Sequence, residues 1–301
     1  MIICMGILGI LALLFLTSAS AETLTDSLRS HLQGFSGNVS LYAKNLDTGV
    51  AVGIREIDPV RTASTIKLPI LLAVFDSVAR GQAKWTDPLT LTATEKVAGS
   101  GVLATEISDG VALPLRDIVH LMMVLSDNTA TNLVLERFPA DAVNAYLDSI
   151  GIKTTRSLRK IRGDGNQLKS PSGWSAAGKL PENEKYGLGV STPREMVTIL
   201  EKLERGEIVN AEASREIIAI MKRCRDDSGI RRRFGDVPVA NKTGALDALR
   251  SDVGIVYSKG GRIAMAITVE GLRKIDYGPD NAGCLMIAEL AKMLVDGLAR
   301  K

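Results

Sequence analysis

Ser64 and Lys67 stand three residues apart in Arg61-Thr-Ala-Ser-Thr-Ile-Lys67, at the mouth of an apolar helix. At that spacing the two side chains share one helical face. A serine hydroxyl is a weak nucleophile at neutral pH and needs a neighbouring base. A lysine partly shielded from water by Ile66, Leu68 and Ile70 can be that base, because burial disfavours its charged form. The free backbone N–H groups at the helix start favour negative charge on whatever Ser64 attacks. Covalent acyl transfer is the chemistry this pair suits. The pattern alone is not selective, since Ser157-Leu-Arg-Lys160 matches it too, and a capping serine with a solvated lysine reads the same way. Its meaning depends on Ser126-Asp-Asn128 and Lys242-Thr-Gly244 further along. Each of those has an ordinary reading as well, the first as a helix end or Asx turn and the second as a strand exit.

The elements that must hold these residues follow from periodicity. Val39, Leu41 and Ala43 alternate with polar neighbours, Asp47-Thr-Gly49 supplies a turn, and a second alternating run spans Val50 to Ile54, which predicts an antiparallel hairpin. From Ser64 the apolar spacing is helical until Gly81, with Pro69 near the first turn, where a missing N–H costs least. Pro114 opens a helix that runs into Ser126. Further helices are predicted at 141–150, at 211–224 and from 281 to 299, and Thr192-Pro-Arg-Glu195 reads as a capping box. Residues 154–191 carry little periodicity and form a long loop. The period returns to two around Val237–Val239, Val253–Tyr257 and Ile263–Val269. Strands, then helices, then strands and a helix predict an α/β (α+β) fold: one sheet built from both chain ends with a helical insertion between.

Composition narrows the function classes. The chain of 301 residues carries a formal charge of +3, which calls for no polyanion partner, so no nucleic acid is expected. The apolar start, Ile2 to Leu16, leads to Ala19-Ser-Ala21 and reads as a signal peptide over residues 1–21, although no Lys or Arg precedes it. Its removal would discard Cys4 and leave a periplasmic or secreted protein without a membrane span, and a monomer is expected. Cys224 and Cys284 then remain, and they either pair or stay buried. His31 and His120 fit no two-histidine zinc pattern, so neither metal nor cofactor is expected.

Ser64-Thr-Ile-Lys67, Ser126-Asp-Asn128 and Lys242-Thr-Gly244, in that order, make up the signature of the penicillin-recognising serine enzymes. The chain resembles a class A β-lactamase, closely so around Ser126-Asp-Asn-Thr-Ala-Thr-Asn132, Ser191-Thr-Pro-Arg194 and Asp252-Val-Gly-Ile-Val-Tyr257. The resemblance implies one hydrolase domain over 22–301. Its α/β lobe would come from roughly 22–60 and 211–301, its all-helical lobe from roughly 61–210, and the site would lie between them. It implies Ser64 as nucleophile, Lys67 as base and Ser126 as proton shuttle. Lys242 and Thr243 would hold a substrate carboxylate, Asn128 an acyl amide, and the N–H groups of Ser64 and Ala245, beside Gly244, an oxyanion. Asp127 would bond backbone across the site. Arg250 is either a second cation for the carboxylate or a solvated strand-end arginine.

The chain departs from the class A pattern in its loop. No Glu-x-x-Leu-Asn motif precedes Thr192-Pro193, so the glutamate that activates the deacylating water is missing. Asp164, Glu182 and Glu184 are the acids of that region, and Glu182 or Glu184 is the candidate replacement. β-Lactam hydrolysis is the activity expected. The alternatives are a DD-peptidase-like acyltransferase on D-alanyl peptides and a β-lactam-binding or sensing protein that stays acylated.

Overall fold

A computed structural model describes residues 22–161 and 173–299; the segment read as a signal peptide and Asp164 lie outside the described residues. Strand β1 (Asn38–Asn45) buries Val39, Leu41 and Ala43 on one face. At its end the Asn45 side chain accepts the N–H groups of Asp47 and Thr48, an Asx turn, and Gly49 adopts a φ of +80°, which costs glycine little. The chain therefore reverses into β2 (Ala51–Ile54), which pairs antiparallel with β1. Short strands follow: β3 (Val60–Arg61), β4 (Pro88–Thr90), β5 (Ala112–Pro114), β6 (Arg156–Ser157) and β7 (Gly189–Ser191). They make small ribbons ordered β3-β7-β6 and β4-β5.

The free edge of β1 is taken by a strand from the far end of the chain. β10 (Gly261–Glu270) sets Asn38 opposite Glu270 and Asn45 opposite Ile263. β9 (Leu249–Ser258) and β8 (Val239–Leu246) extend the sheet in the order β2-β1-β10-β9-β8, antiparallel throughout. The pleat sends Ile263, Met265, Ile267 and Val269 to one face, against α1 (22–31) and α8 (Ala282–Leu298). It sends Ala264 and Ala266 to the other face, under α6 (Pro193–Glu204). Each fully buried leucine or isoleucine on these faces contributes about 1.5–3 kcal/mol.

The second core continues from the sheet into α2 (Lys67–Ala79), α3 (Leu115–Val124), α4 (Asn128–Arg137), α5 (Ala140–Ser149) and α7 (Ala211–Lys222). α2 is apolar on every side in its first half, and Lys67 through Phe75 are all buried, so it forms the axis of this lobe. α6 keeps half of the expected capping box. Thr192 accepts the N–H of Glu195, but the Glu195 carboxylate turns away to take the N–H groups of Lys153, Thr154 and Thr155. Among the described residues no helix is long and apolar enough to cross a membrane.

Candidate active site

Ser64 lies on a 3-10 turn, Ala63–Ile66, that runs straight into α2 and so carries Lys67 one turn further inside. β8 passes against this turn at Gly244. A Cβ there would sit 2.8 Å from the carbonyl oxygen of Thr62 and 3.0 Å from the nitrogen of Ser64, so only glycine permits the approach. The close approach places the backbone around Ala245 beside the backbone of Ser64.

Two residues with side chains hold left-handed backbone here, Ala63 at φ +46° and Ser126 at φ +55°. Each costs on the order of 1 kcal/mol and persists only where the surroundings enforce it. Around Ser126 the enforcement is visible. Asp127 donates its N–H to Leu121 O, and its carboxylate takes the N–H groups of Val102, Leu103 and Ala130, capping α4 while bonding backbone across the cleft rim. The strained turn aims both oxygens of Ser126 at Lys67, whose ammonium donates to Ser126 O at 2.6 Å, Ser126 Oγ at 3.1 Å and Asn128 Oδ1 at 3.0 Å. Lys242 donates to the same Ser126 Oγ at 2.9 Å and to Thr243 O at 2.8 Å. Ser126 Oγ thus accepts from both lysines and keeps its own proton to donate.

Both lysines are completely buried. Burial first, and then the charge of Lys242, hold Lys67 well below the usual lysine range; burial likewise lowers Lys242. Lys67 is thus a lysine that gives up its proton more readily than a solvated one. Half-buried Ser64 opens onto a cleft of about 1040 Å³, whose lining includes Ser126, Asn128, Thr243, Gly244 and Ala245. Asn128 also donates to Ala98 O on the rim.

The structure does not bring the remaining expected residues to this cleft. Glu182 and Glu184 sit exposed on the 3-10 turn Pro181–Tyr186 and are not among the lining residues. Among the described residues of the loop, Ile161 and Leu188 line the cleft instead. Ile161 is held there by two backbone bonds to the buried side chain of Asn132, at 2.9 and 2.8 Å. Next to it Lys160 is buried and paired with Glu95 and Glu136, which ties the loop to the helical lobe. Arg250 is neither solvated nor facing Ser64: it is buried, and its guanidinium donates to the carbonyls of Leu246, Leu249 and Asp276. Cys224 and Cys284 are both free. Cys224 and Asp226 belong to the cleft wall, which no spacing in the sequence reveals. The Asp226 carboxylate is held below its usual range by the Ser228 and Thr243 hydrogen bonds and the charge of Lys242, all working against its burial.

The Ser64 turn, two buried lysines sharing the Ser126 hydroxyl, and the glycine-bearing strand β8 thus meet around one cleft. The chain belongs to the beta-lactamase enzyme family, whose profile matches residues 22–298. It is 24% identical to the beta-lactamase regulatory protein BlaB of Streptomyces cacaoi, over 93% of this chain and 98% of that one. Its fold is similar to that of a beta-lactamase from Sphaerobacter thermophilus, with a TM-score of 0.78, 26% identity and coverage of 92% and 97% of the two chains. It is also similar to the L158E mutant of PBP-A, solved as an acyl-enzyme complex with penicillin-G, with a TM-score of 0.76, 24% identity and coverage of 91% and 96%.

Proposed function

We propose that this protein opens β-lactams by acylating Ser64 and then hydrolyses the acyl-enzyme slowly. The observation that carries the reading is the buried chain Lys67–Ser126–Lys242, whose middle member lines the same cleft as Ser64. Lys67 takes the Ser64 proton as Oγ bonds to the lactam carbonyl carbon. The N–H groups of Ser64 and Ala245 hold the developing oxyanion. When the C–N bond breaks, Ser126 delivers a proton to the departing nitrogen and is resupplied from the lysine pair. Lys242 and Thr243 receive the substrate carboxylate, and Asn128 receives the amide of the acyl side chain. Water then attacks the ester carbonyl, returning the proton to Ser64 and freeing the acid.

Slow release follows from the loop wall. General-base help to the water is worth roughly 10²–10⁴ in rate, and among the described residues of that loop the side chains at the cleft are the apolar Ile161 and Leu188. The same observation favours a second reading, a protein that stays acylated and serves in binding or sensing, or a peptidase on D-alanyl peptides. Mixing the protein with a chromogenic cephalosporin, with colour and intact mass followed together, separates the readings. Continuing colour at many turnovers supports hydrolysis. One equivalent of colour with a lasting adduct on Ser64 supports the second reading, and no adduct on Ser64 removes both.

A further inference from the structure

The end of the cleft beside Ser126 and Thr243 is closed by the segment that follows α7. Arg225 donates its N–H to the carbonyl of Val124, two residues before Ser126, at 3.1 Å. Further along, Gly229 packs against Asp252, the register partner of Thr243, so closely that a Cβ would sit 2.5 Å from the Asp252 Oδ2. Ile230 then donates its N–H to that oxygen at 2.8 Å. The segment is thus pinned at one end beside the Ser126 turn and at the other beside the register partner of Thr243. Asp226 lies between these two anchors and lines the cleft together with Ser126 and Thr243.

Asp226 is exposed as a residue, but its carboxylate is held. Oδ1 accepts the N–H of Ser228 at 3.0 Å and the Ser228 hydroxyl at 2.7 Å. The Thr243 hydroxyl bonds to the same carboxylate, and the charge of Lys242 acts on it. Thr243 and Lys242 are the two groups that would receive the carboxylate of a donor. A hydroxyl carries one proton, so Thr243 cannot donate to Asp226 and to a donor at once. A second carboxylate brought beside the first also meets like charge, and repulsion of that kind discriminates between ligands. Arg225, the neighbouring cation on this wall, is exposed to solvent and offsets little of it. A neutral ester or amide at the same place meets no such opposition. We propose that Asp226 is a specificity-determining residue: an internal carboxylate that competes with that of the donor for Thr243 and Lys242, and so lowers the preference of the cleft for acidic over neutral donors. The inference rests on the acyl-enzyme reading above, since it concerns donors that acylate Ser64.

The test compares benzylpenicillin with its methyl ester, reading the second-order rate of Ser64 adduct formation by intact mass. Asp226→Asn keeps the shape of the side chain and an oxygen for Ser228 but removes the charge. It is expected to raise the rate for the acid about fivefold, the effect of one partly screened charge contact, and to leave the ester within about twofold. Asp226→Glu, which keeps the charge on a longer arm, is expected to hold the ratio of the acid rate to the ester rate within about twofold of wild type. Equal gains for acid and ester in Asp226→Asn would mean a looser cleft and would overturn the inference. A loss for both donors would overturn it too, because the carboxylate would then serve only to hold its own segment, and so would a gain for the acid in Asp226→Glu as large as in Asp226→Asn. If the wild-type protein forms an adduct but Asp226→Asn changes neither rate, this inference alone fails. If the wild-type protein forms no adduct with either donor, the acyl-enzyme reading fails and takes the inference with it.

Discussion

On the wall made by α2, the Ser126 turn and β8, the polar groups are bonded to one another before any substrate arrives. On the loop wall, the side chains that face the cleft among the described residues are Ile161 and Leu188. The first wall is preorganised for charge that moves: two buried lysines converge on one hydroxyl, and strained backbone at Ala63 and Ser126 holds the aim. The second is just as firmly held, through Asn132 and Lys160, but what it holds out is apolar. Rigidity alone therefore does not make a catalytic wall, and the contrast predicts fast acylation beside slow release.

The contrast breaks most severely if Lys67 is dispensable. Lys67→Met is expected to slow Ser64 adduct formation by roughly 10³ or more, and Lys67→Arg is not expected to rescue it, because a guanidinium does not give up its proton. Stopped-flow mass measurements with benzylpenicillin check both. The pH profile should agree. Lys67 must be neutral to act, and its depressed pKa means that acylation falls on the acid side, as pH drops through a value well below the usual lysine range.

Giving the second wall a base sharpens the contrast from the other direction. Ile161→Glu is expected to shorten the life of the adduct by about a hundredfold with little change in its formation, read as the decay of adduct mass after excess β-lactam is removed. A smaller effect concerns the buried floor under the first wall. Burial raises Asp252 to about 7 while Ile230 N–H and Asn241 bond it. A carboxyl that takes its proton more readily in the folded state adds stability that is complete below its unfolded pKa and lost as pH rises through the folded one. The melting temperature is therefore expected to drop by ~5 °C between pH 5 and pH 8.5, and Asp252→Asn should flatten that slope in differential scanning calorimetry. Smallest of all, Glu182→Gln and Glu184→Gln are expected to change adduct release by less than about twofold, since both side chains are exposed and stand off the cleft.

Most of the first wall was legible in the sequence and little of the second. The hairpin at 38–54, the helix after Ser64 and the strands around Lys242 carry strong periodicity and turn chemistry, and the structure sets them where those signals point. Ser64, Lys67, Ser126 and Lys242 are polar residues in three short motifs, and their meeting was expected because those motifs in that order resemble the signature of a known family. Ile161 sends no such signal, because an apolar residue in a loop looks like any other until its neighbours are known. Its place is set by Asn132, whose side chain is spent on the loop backbone. The search for an acid in that loop led to Glu182 and Glu184, because charge shows in a sequence and exposure does not. Arg250 failed differently. It was read as a strand-end residue but lies within β9, and the carbonyls that claim its guanidinium come from a hairpin turn and a distant loop. Asp226 and Cys224 belong to the site only through the packing of α7 beside β8.

The pairing of β1 with β10 has a consequence for how the protein comes into being. The nucleophile turn leans on Gly244, and the strand that bears Gly244 reaches β1 only through β9 and β10. During synthesis the ribosome delivers Ser64, Lys67 and Ser126 long before the strands that brace them. Nascent chains that stop short of β10 leave β1 with one edge bare and the strand that carries Lys242 untied to it. Reactivity toward a penicillin should thus appear in a single step as the last strand emerges, with no partly competent precursor along the way.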